Sequence, residues 1–294
     1  MQTLSIGICA YNERENIGQL IRELLKQRME IVLLKQIIVV ASGCTDGTED
    51  IVKEFAKGDK RVMLIKESER GGKSRAVNTF LKKTQADIIV LISADTLPQK
   101  NAIEELVKPL LNKKIGMTGG HPVPINSRNT FMGFLAHFMW DLHHEIALKE
   151  PKLGEMVAFK NIVRKIPSNS AVDEASIEAI IRTSGLSIEY CPKALVNNKG
   201  PETLSDFLKQ RRRIYAGHLW LKETSHYSVS TMSGLKILGL VLENLKNSPC
   251  ELFYTIIAVN LEMLSRFLGF WDYKVLKTNP AKWEIASSTK HLTP

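Results

Sequence analysis

The first hundred positions alternate short apolar runs with stretches whose apolar residues recur at helical spacing. LSIGICAY, KQIIVVAS, RVMLIKE and ADIIVLISAD read as strands, and their near-continuous apolar character is that of strands covered on both faces. Between them, NIGQLIRELLKQR places Ile17, Leu20, Ile21, Leu24 and Leu25 on one helical face, and TEDIVKEFAK, SRAVNTFLKKT and NAIEELVKPLLN read as further helices. Strands alternating with helices of this length predict right-handed βαβ units and a doubly wound, mainly parallel α/β sheet.

The rhythm changes after Lys114. IGMTGGHPVPIN predicts a strand and turn, FMGFLAHFMWDLHHEIAL a long apolar helix, GEMVAFK a short strand, and IEAIIRTSG a helix closed by Gly185. SIEYCPKALV predicts two short strands broken at Cys191-Pro192. From Leu204 the pattern is helical through SDFLKQRRRIYAGHLWLKE, SGLKILGLVLENLK and CELFYTIIAVNLEMLSRFLGF, and the polar stretch after Tyr273 reads as a tail. The expected division is an α/β domain over 1–203 and a helical C-terminal region over 204–294.

Composition narrows the function classes. The 294 residues, 44% hydrophobic and 24% charged, suffice for one large α/β domain. A net charge of +9 suits a polyanion, a phosphorylated small molecule or an anionic membrane surface. Apart from Arg211, Arg212 and Arg213 the cations are dispersed and lack the aromatic interleaving of a nucleic-acid stripe, so no nucleic-acid partner is expected. Cys9, Cys44, Cys191 and Cys250 lie far apart, without zinc spacing or a disulfide framework. MQTLSIGICAYNE lacks the features of a signal peptide, and the most apolar window, 252–271, is interrupted by Asn260, Glu262 and Arg266. A cytoplasmic protein is expected, with peripheral contact at the inner face of the membrane.

Four polar segments fall at strand ends, where an open α/β sheet places its ligand crevice. They are Ala10-Tyr11-Asn12-Glu13, the loop Ser42 to Thr48 (SGCTDGT), Glu69 to Ser74 (ERGGKS) and Ser93-Ala94-Asp95. Each has a plainer explanation: Asp95 serves as a turn residue or helix cap, SGCTDGT as a capped turn. GGKS is not a phosphate-binding Walker loop, because Glu67 stands five residues before Gly72 where that loop needs Gly.

Taken together the segments resemble family 2 glycosyltransferases of the GT-A fold. AYNE resembles the family's P/AYNE signature, SGCTDGT its D-D-G-S-x-D-G-T loop, GGKSRAVN its G-K-x-x-A-L-N segment and SAD its D-x-D motif; the resemblance runs to about residue 215. It implies inverting transfer of a sugar from a nucleotide diphosphate sugar, assisted by Mg2+ or Mn2+. It further implies a nucleotide-sugar half over about 1–115 and an acceptor half over about 116–203. Tyr11, Glu13, Ser42 and Asp46 would line the nucleoside, Lys73 would sit near the ribose or base, and Asp95 would hold the metal. Ser93 replaces the first acid of D-x-D, which leaves Asp95 as the direct ligand, and Ser42 replaces the base-contacting acid of the second motif.

Inversion needs a base at the acceptor hydroxyl. AVDEASIEAIIRTSG resembles the family's E-D-x-x-L motif, whose second acid is the base, and the span to Gly185 assigns Glu174 as base with Asp173 beside it. The plainer reading is that both acids favour a helix dipole. Gln210 to Ile214 resembles the Q-x-x-R-W motif with Ile in place of Trp, and Arg211, Arg212 and Arg213 suit a diphosphate leaving group. His143, His144 and His218 read as helix-flank residues. The acceptor is expected to be a glycan or a lipid-linked molecule, with transfer non-processive. The alternatives are a nucleotidyltransferase, which would need a Gly-rich basic loop after the first strand where AYNERENIG stands, and a basic membrane-surface or nucleic-acid binding protein.

Overall fold

The computed structural model describes residues 1–243, 248–278, 281, 287–290 and 292. Strand β1 (Gln2–Ala10) alternates so that Leu4, Ile6 and Ile8 are fully buried on one face. On the other face Gly7 lies under a crossing helix, where a Cβ would come within 2.9 Å of Phe80 and 2.8 Å of Leu91. The chain continues through α1 (Arg14–Leu25), β2 (Val32–Ser42), α2 (Thr48–Gly58), β3 (Val62–Glu67), α3 (Lys73–Lys83) and β4 (Ile88–Ser93). These are the expected βαβ units, and β3, β2, β1 and β4 pair in parallel.

Asp95 lies in the turn between β4 and β5 (Thr96–Pro98), and α4 (Ala102–Val107) begins only after Asn101. Asp95 therefore caps no helix. Beyond it come β6 (Ile115–Pro124), α5 (Phe131–Lys149), β7 (Met156–Lys160), α6 (Asp173–Thr183) and β8 (Ser187–Asn198). The sheet order is β3-β2-β1-β4-β7-β6-β8-β5, and β7 runs antiparallel to both β4 and β6, so the sheet is mixed in its second half. This reversal brings the residue entering β7, Glu155, beside the carboxyl end of β4, where Ser93 N–H donates to the Glu155 carbonyl at 3.0 Å.

The predicted break at Cys191-Pro192 is a register slip within one strand. Gly119 pairs with Tyr190 and His121 with Leu195, so four residues of β8 stand opposite Gly120. Pro192, lacking an N–H, falls inside this irregularity.

Side chains from both sheet faces form the core. Leu4, Ile6, Ile17, Leu20, Val52, Ile103 and Leu106 pack on the side of α1, α2 and α4. Val77, Phe80, Phe159, Ile177 and Ile181 pack on the side of α3 and α6. The remaining helices are α7 (Leu204–Ser225), α8 (Gly234–Glu243) and α9 (Pro249–Lys274). The end of the helix expected over SGLKILGLVLENLK lies outside the described residues. By length and composition α9 is long and apolar enough to cross a membrane, a property that the interruptions at Asn260, Glu262 and Arg266 concealed in the sequence.

Candidate active site

At the carboxyl end of β1, the Arg70 guanidinium sits 4.3 Å from the centre of the Tyr11 ring. Glu13 is buried and accepts from Asn16 Nδ2 at 3.2 Å. A cation from far along the chain closes this corner: Lys290 Nζ donates to Glu13 Oε1 at 2.6 Å, Tyr11 O at 2.6 Å and Asn12 O at 2.9 Å. Part of the stretch read as a polar tail is thus a wall of the site.

At the end of β2, Ser42 Oγ donates to Glu67 Oε2 at 2.7 Å and accepts from Gly71 N–H at 3.2 Å, tying this strand to the loop before α3. Gly43 follows at φ +66°, with space for a Cβ blocked by Arg70 N at 2.7 Å, so the close approach of the two loops requires glycine. Asp46 accepts from Arg14 N–H at 2.9 Å, Thr48 N–H at 3.0 Å and the Thr48 hydroxyl at 2.6 Å. Partial burial opposes its ionisation, but these bonds hold the carboxyl below its usual range. Tyr11, Glu13 and Ser42 line the central cavity, whereas Asp46 fastens the start of α2 to α1 behind it.

Lys73 opens α3 and lines the same cavity as Tyr11, Glu13 and Ser42. Its ammonium reaches the first turn of α6, at 2.7 Å from Glu174 Oε1 and 3.2 Å from Asp173 Oδ2. The physical reason is charge: two adjacent buried carboxylates need a counter-ion, and Lys73 supplies it. Burial alone would lower the Lys73 pKa, yet the two acids push it well above the ordinary value. Burial and then the Glu174 charge push Asp173 up; burial also opposes ionisation of Glu174, but Lys73 holds that carboxyl low.

Ser93, Asp95 and Glu155 complete the floor. Burial, then the Asp95 charge, raises both Glu13 and Glu155, which marks a concentration of negative charge around Asp95. Among the described residues no group of three or more His, Cys, Asp or Glu is arranged to hold a metal unaided.

The arginine run is divided by helix geometry, since consecutive residues point about 100° apart. Arg211 makes a bidentate pair with Glu262 at 2.8 and 2.7 Å, and Arg212 one with Asp272 at 3.0 and 2.7 Å. Arg213 lines the cavity and acts electrostatically on Asp173, Glu174, Glu155 and Asp95; burial, outweighing those carboxylates, lowers its pKa.

Apart from Asp46, Glu67 and the Arg212–Asp272 pair, these groups meet in one cavity of about 850 Å3. Its other end is apolar, walled by α5, α8 and α9. In the sequence Glu155, Lys290, Arg70 and Lys152 carry no assigned role, and His143 and His218 read as helix flanks. Glu155 carried one signal, an acid directly before a short strand; Lys290 carried none, because only the tertiary fold brings it to Tyr11.

A model of the family described as "Glycosyl transferase family 2" matches residues 5–181. Over 240 residues the chain is 27% identical to the probable glycosyltransferase YdaM of Bacillus subtilis, covering 74% of this chain and 56% of that protein. Over 226 residues it is 22% identical to a poly-beta-1,6-N-acetyl-D-glucosamine synthase of Staphylococcus aureus, covering 72% and 54% respectively. The chain spans about half the length of these curated relatives. Among solved structures, the mannosyltransferase PcManGT of Pyrobaculum calidifontis, in complex with GDP-Man and Mn2+, superposes with a TM-score of 0.62 at 20% identity, covering 98% of this chain and 86% of that one. Glucosyl-3-phosphoglycerate synthase of Mycobacterium tuberculosis, in complex with Mn2+, UDP and glucosyl-3-phosphoglycerate, superposes at 0.52 and 19%, covering 78% and 82%. The mixed sheet, the helices on its two faces and these superpositions give the GT-A fold. With a family match over more than half of its length, the chain belongs to glycosyltransferase family 2.

Proposed function

We propose that this protein transfers a sugar from a nucleotide diphosphate donor to a hydroxyl acceptor, one unit at a time and with inversion. The observation that carries this reading is the convergence of Asp95, the Lys73-bound acids of α6 and Arg213 on one cavity at the carboxyl ends of β1, β2 and β4. In this reading residues 1–115 hold the donor, 116–203 the acceptor, and the helices from 204 roof both. Tyr11, Glu13 and Ser42 wall the nucleoside, with Asp46 bracing the loop behind them. The relatives' donors, GDP-Man and UDP-glucose, make guanosine and uridine diphosphate sugars the first candidates.

The chemistry follows from the charges. Glu174, which is more open to the cavity than Asp173 (side chains 19% and 5% exposed), takes the proton of the acceptor hydroxyl. The acceptor oxygen bonds to the anomeric carbon from the face opposite the diphosphate, and the bond to the leaving oxygen breaks with its electron pair. Arg213 meets the charge that develops on the diphosphate.

The acids around Asp95 fit a divalent cation that brings most of its own oxygen ligands: one carboxylate is offered directly, inside a region of excess negative charge. Mg2+ or Mn2+ held there by Asp95 would neutralise the diphosphate. The Q-x-x-R-W motif is that of processive members of the family, and Ile214 in the place of its Trp supports single transfers. Peripheral membrane contact through α9 belongs to this reading, since Ile256, Met263 and Phe267 are 54%, 64% and 59% exposed.

Calorimetric titration with UDP- and GDP-sugars, with and without Mn2+, tests the proposal. One donor should bind only with the cation, and the isolated product should have the opposite anomeric configuration. Failure of every nucleotide sugar to bind under both conditions would refute it.

A further inference from the structure

Next to the α6 acids the cavity holds a group of basic side chains for which the transfer chemistry has no use. His143 of α5 and His218 of α7 are each 7% exposed and line the cavity. Neither ring nitrogen of His143, nor Nδ1 of His218, has a hydrogen-bond partner among the described residues. Buried nitrogens without partners are costly and call for a ligand. Lys152 lines the same space and acts electrostatically on both rings, and Arg211 acts on them too. Arg211 and Arg266 share the single carboxylate of Glu262, so the group carries surplus positive charge even before Lys152 is counted. Glu174 acts on Lys152 and on His218, so the group lies beside the candidate base.

Continuous with this basic patch is the apolar end of the cavity. Phe138, Leu142 and Ile146 of α5 pack with Ile237 and Val241 of α8 and Val259 of α9, and all six line it. Leu238 and Met263 also line it, yet are 47% and 64% exposed, so this end opens outward beside the apolar face of α9.

We propose that Lys152, His143 and His218 form an anion subsite for the phosphate of an amphiphilic acceptor, whose apolar chain lies between α5, α8 and α9. A phosphate matches the surplus charge and the vacant ring nitrogens, and an alkyl chain matches the wall that leads from them to the surface. The inference rests on the glycosyltransferase reading only in calling this molecule the acceptor.

The test is calorimetry on the full chain without donor, using dodecyl phosphate below its micellar concentration, glycerol 3-phosphate, inorganic phosphate and the uncharged dodecyl maltoside. Dodecyl phosphate should bind one per chain, at least tenfold more tightly than glycerol 3-phosphate or inorganic phosphate. Lys152→Met should weaken it at least tenfold and Lys152→Arg should restore most of the affinity. Leu238→Glu, at the exposed mouth, should weaken dodecyl phosphate but not inorganic phosphate. Undiminished binding by Lys152→Met, or equal competition by dodecyl maltoside, would overturn the anion subsite. Equal affinity for glycerol 3-phosphate and dodecyl phosphate would overturn the apolar arm. Circular dichroism spectra and thermal melts of the variants provide the folding control; failure of the parent chain to bind any nucleotide sugar would sink the transferase reading and leave this subsite standing.

Discussion

Replacing Glu178 by Gln should stabilise the protein near neutral pH, by an amount that grows as the pH rises. Glu178 is fully buried in α6, where Oε1 accepts from Leu153 N–H at 2.8 Å and Oε2 pairs with the Tyr227 hydroxyl at 2.9 Å. Burial outweighs both bonds and pushes its carboxyl from the ordinary 4.5 up to about 7. The folded state therefore holds this proton more tightly than the unfolded chain. Its stabilising contribution is complete below about pH 4.5 and is lost as the pH rises towards 7. At about 1.36 kcal/mol per pH step, linkage gives a loss of roughly 2.5 kcal/mol between pH 5 and pH 8. A glutamine reproduces the protonated carboxyl: its oxygen accepts from Leu153 and its NH2 can donate to Tyr227. Glu178→Gln escapes the loss, and for a chain of this size the gain is a Tm difference of about 4 °C opening between those pH values. Thermal scans of both proteins from pH 5 to 8 measure it. A Tm difference that stays constant, or that closes as the pH rises, would refute the reasoning. The segment carrying Lys152 and Glu155 hangs from this carboxyl through Leu153, so the same titration bears on the shape of the cavity.

Other expectations concern the chemistry directly. Glu174→Gln should lower kcat by roughly two to four orders of magnitude while donor affinity stays nearly unchanged. Asp173→Asn should cost less; if steady-state kinetics rank the two the other way, their roles exchange. Asp95→Asn should remove the cation dependence of nucleotide-sugar binding while the circular dichroism spectrum stays that of the parent, and retention of full Mn2+-dependent binding would mean that Asp95 does not hold the cation. Arg213→Gln should reduce turnover at least tenfold, whereas Arg212→Gln, whose partner is Asp272 on the outer side, should leave it within about threefold. Equal losses in the two arginine variants would show that the helix, and not the guanidinium facing the cavity, matters.

The alternating units of the first hundred residues were legible because local periodicity and burial on both faces act in the same direction there. The GT-A fold was legible only through the resemblance of four short motifs to those of family 2 glycosyltransferases. The reversal of β7 was not, because the direction of a five-residue apolar strand leaves no mark on its composition. Asp173 and Glu174 stood out as an acid pair, but their counter-ion lies 100 and 101 positions earlier in the sequence, and Lys73 had more obvious employment beside two glycines. The arginine triplet was visible as charge; which members are held by α9 depended on partners 51 and 60 residues further on. His143 and His218 looked like helix flanks because helical pattern reports burial, and says nothing of whether a buried nitrogen has a partner.

The two arginine pairs between α7 and α9 set how α9 can meet a lipid surface. Were this helix to leave α7 and span a bilayer alone, Glu262 and Asp272 would enter or approach hydrocarbon stripped of Arg211 and Arg212. Breaking a partly buried pair in this way costs less than the roughly 3–5 kcal/mol of a fully buried one, and less still for the more exposed Arg212–Asp272 pair, before the cost of carrying an acid into lipid is added. Lying flat costs nothing of the kind. Leu252, Ile256, Met263, Phe267 and Phe270 are all exposed, and at helical rise they extend over roughly 27 Å. The ion pairs thus work as a keel: they hold the charged side of α9 down on the protein and leave its greasy side turned outward along its whole length.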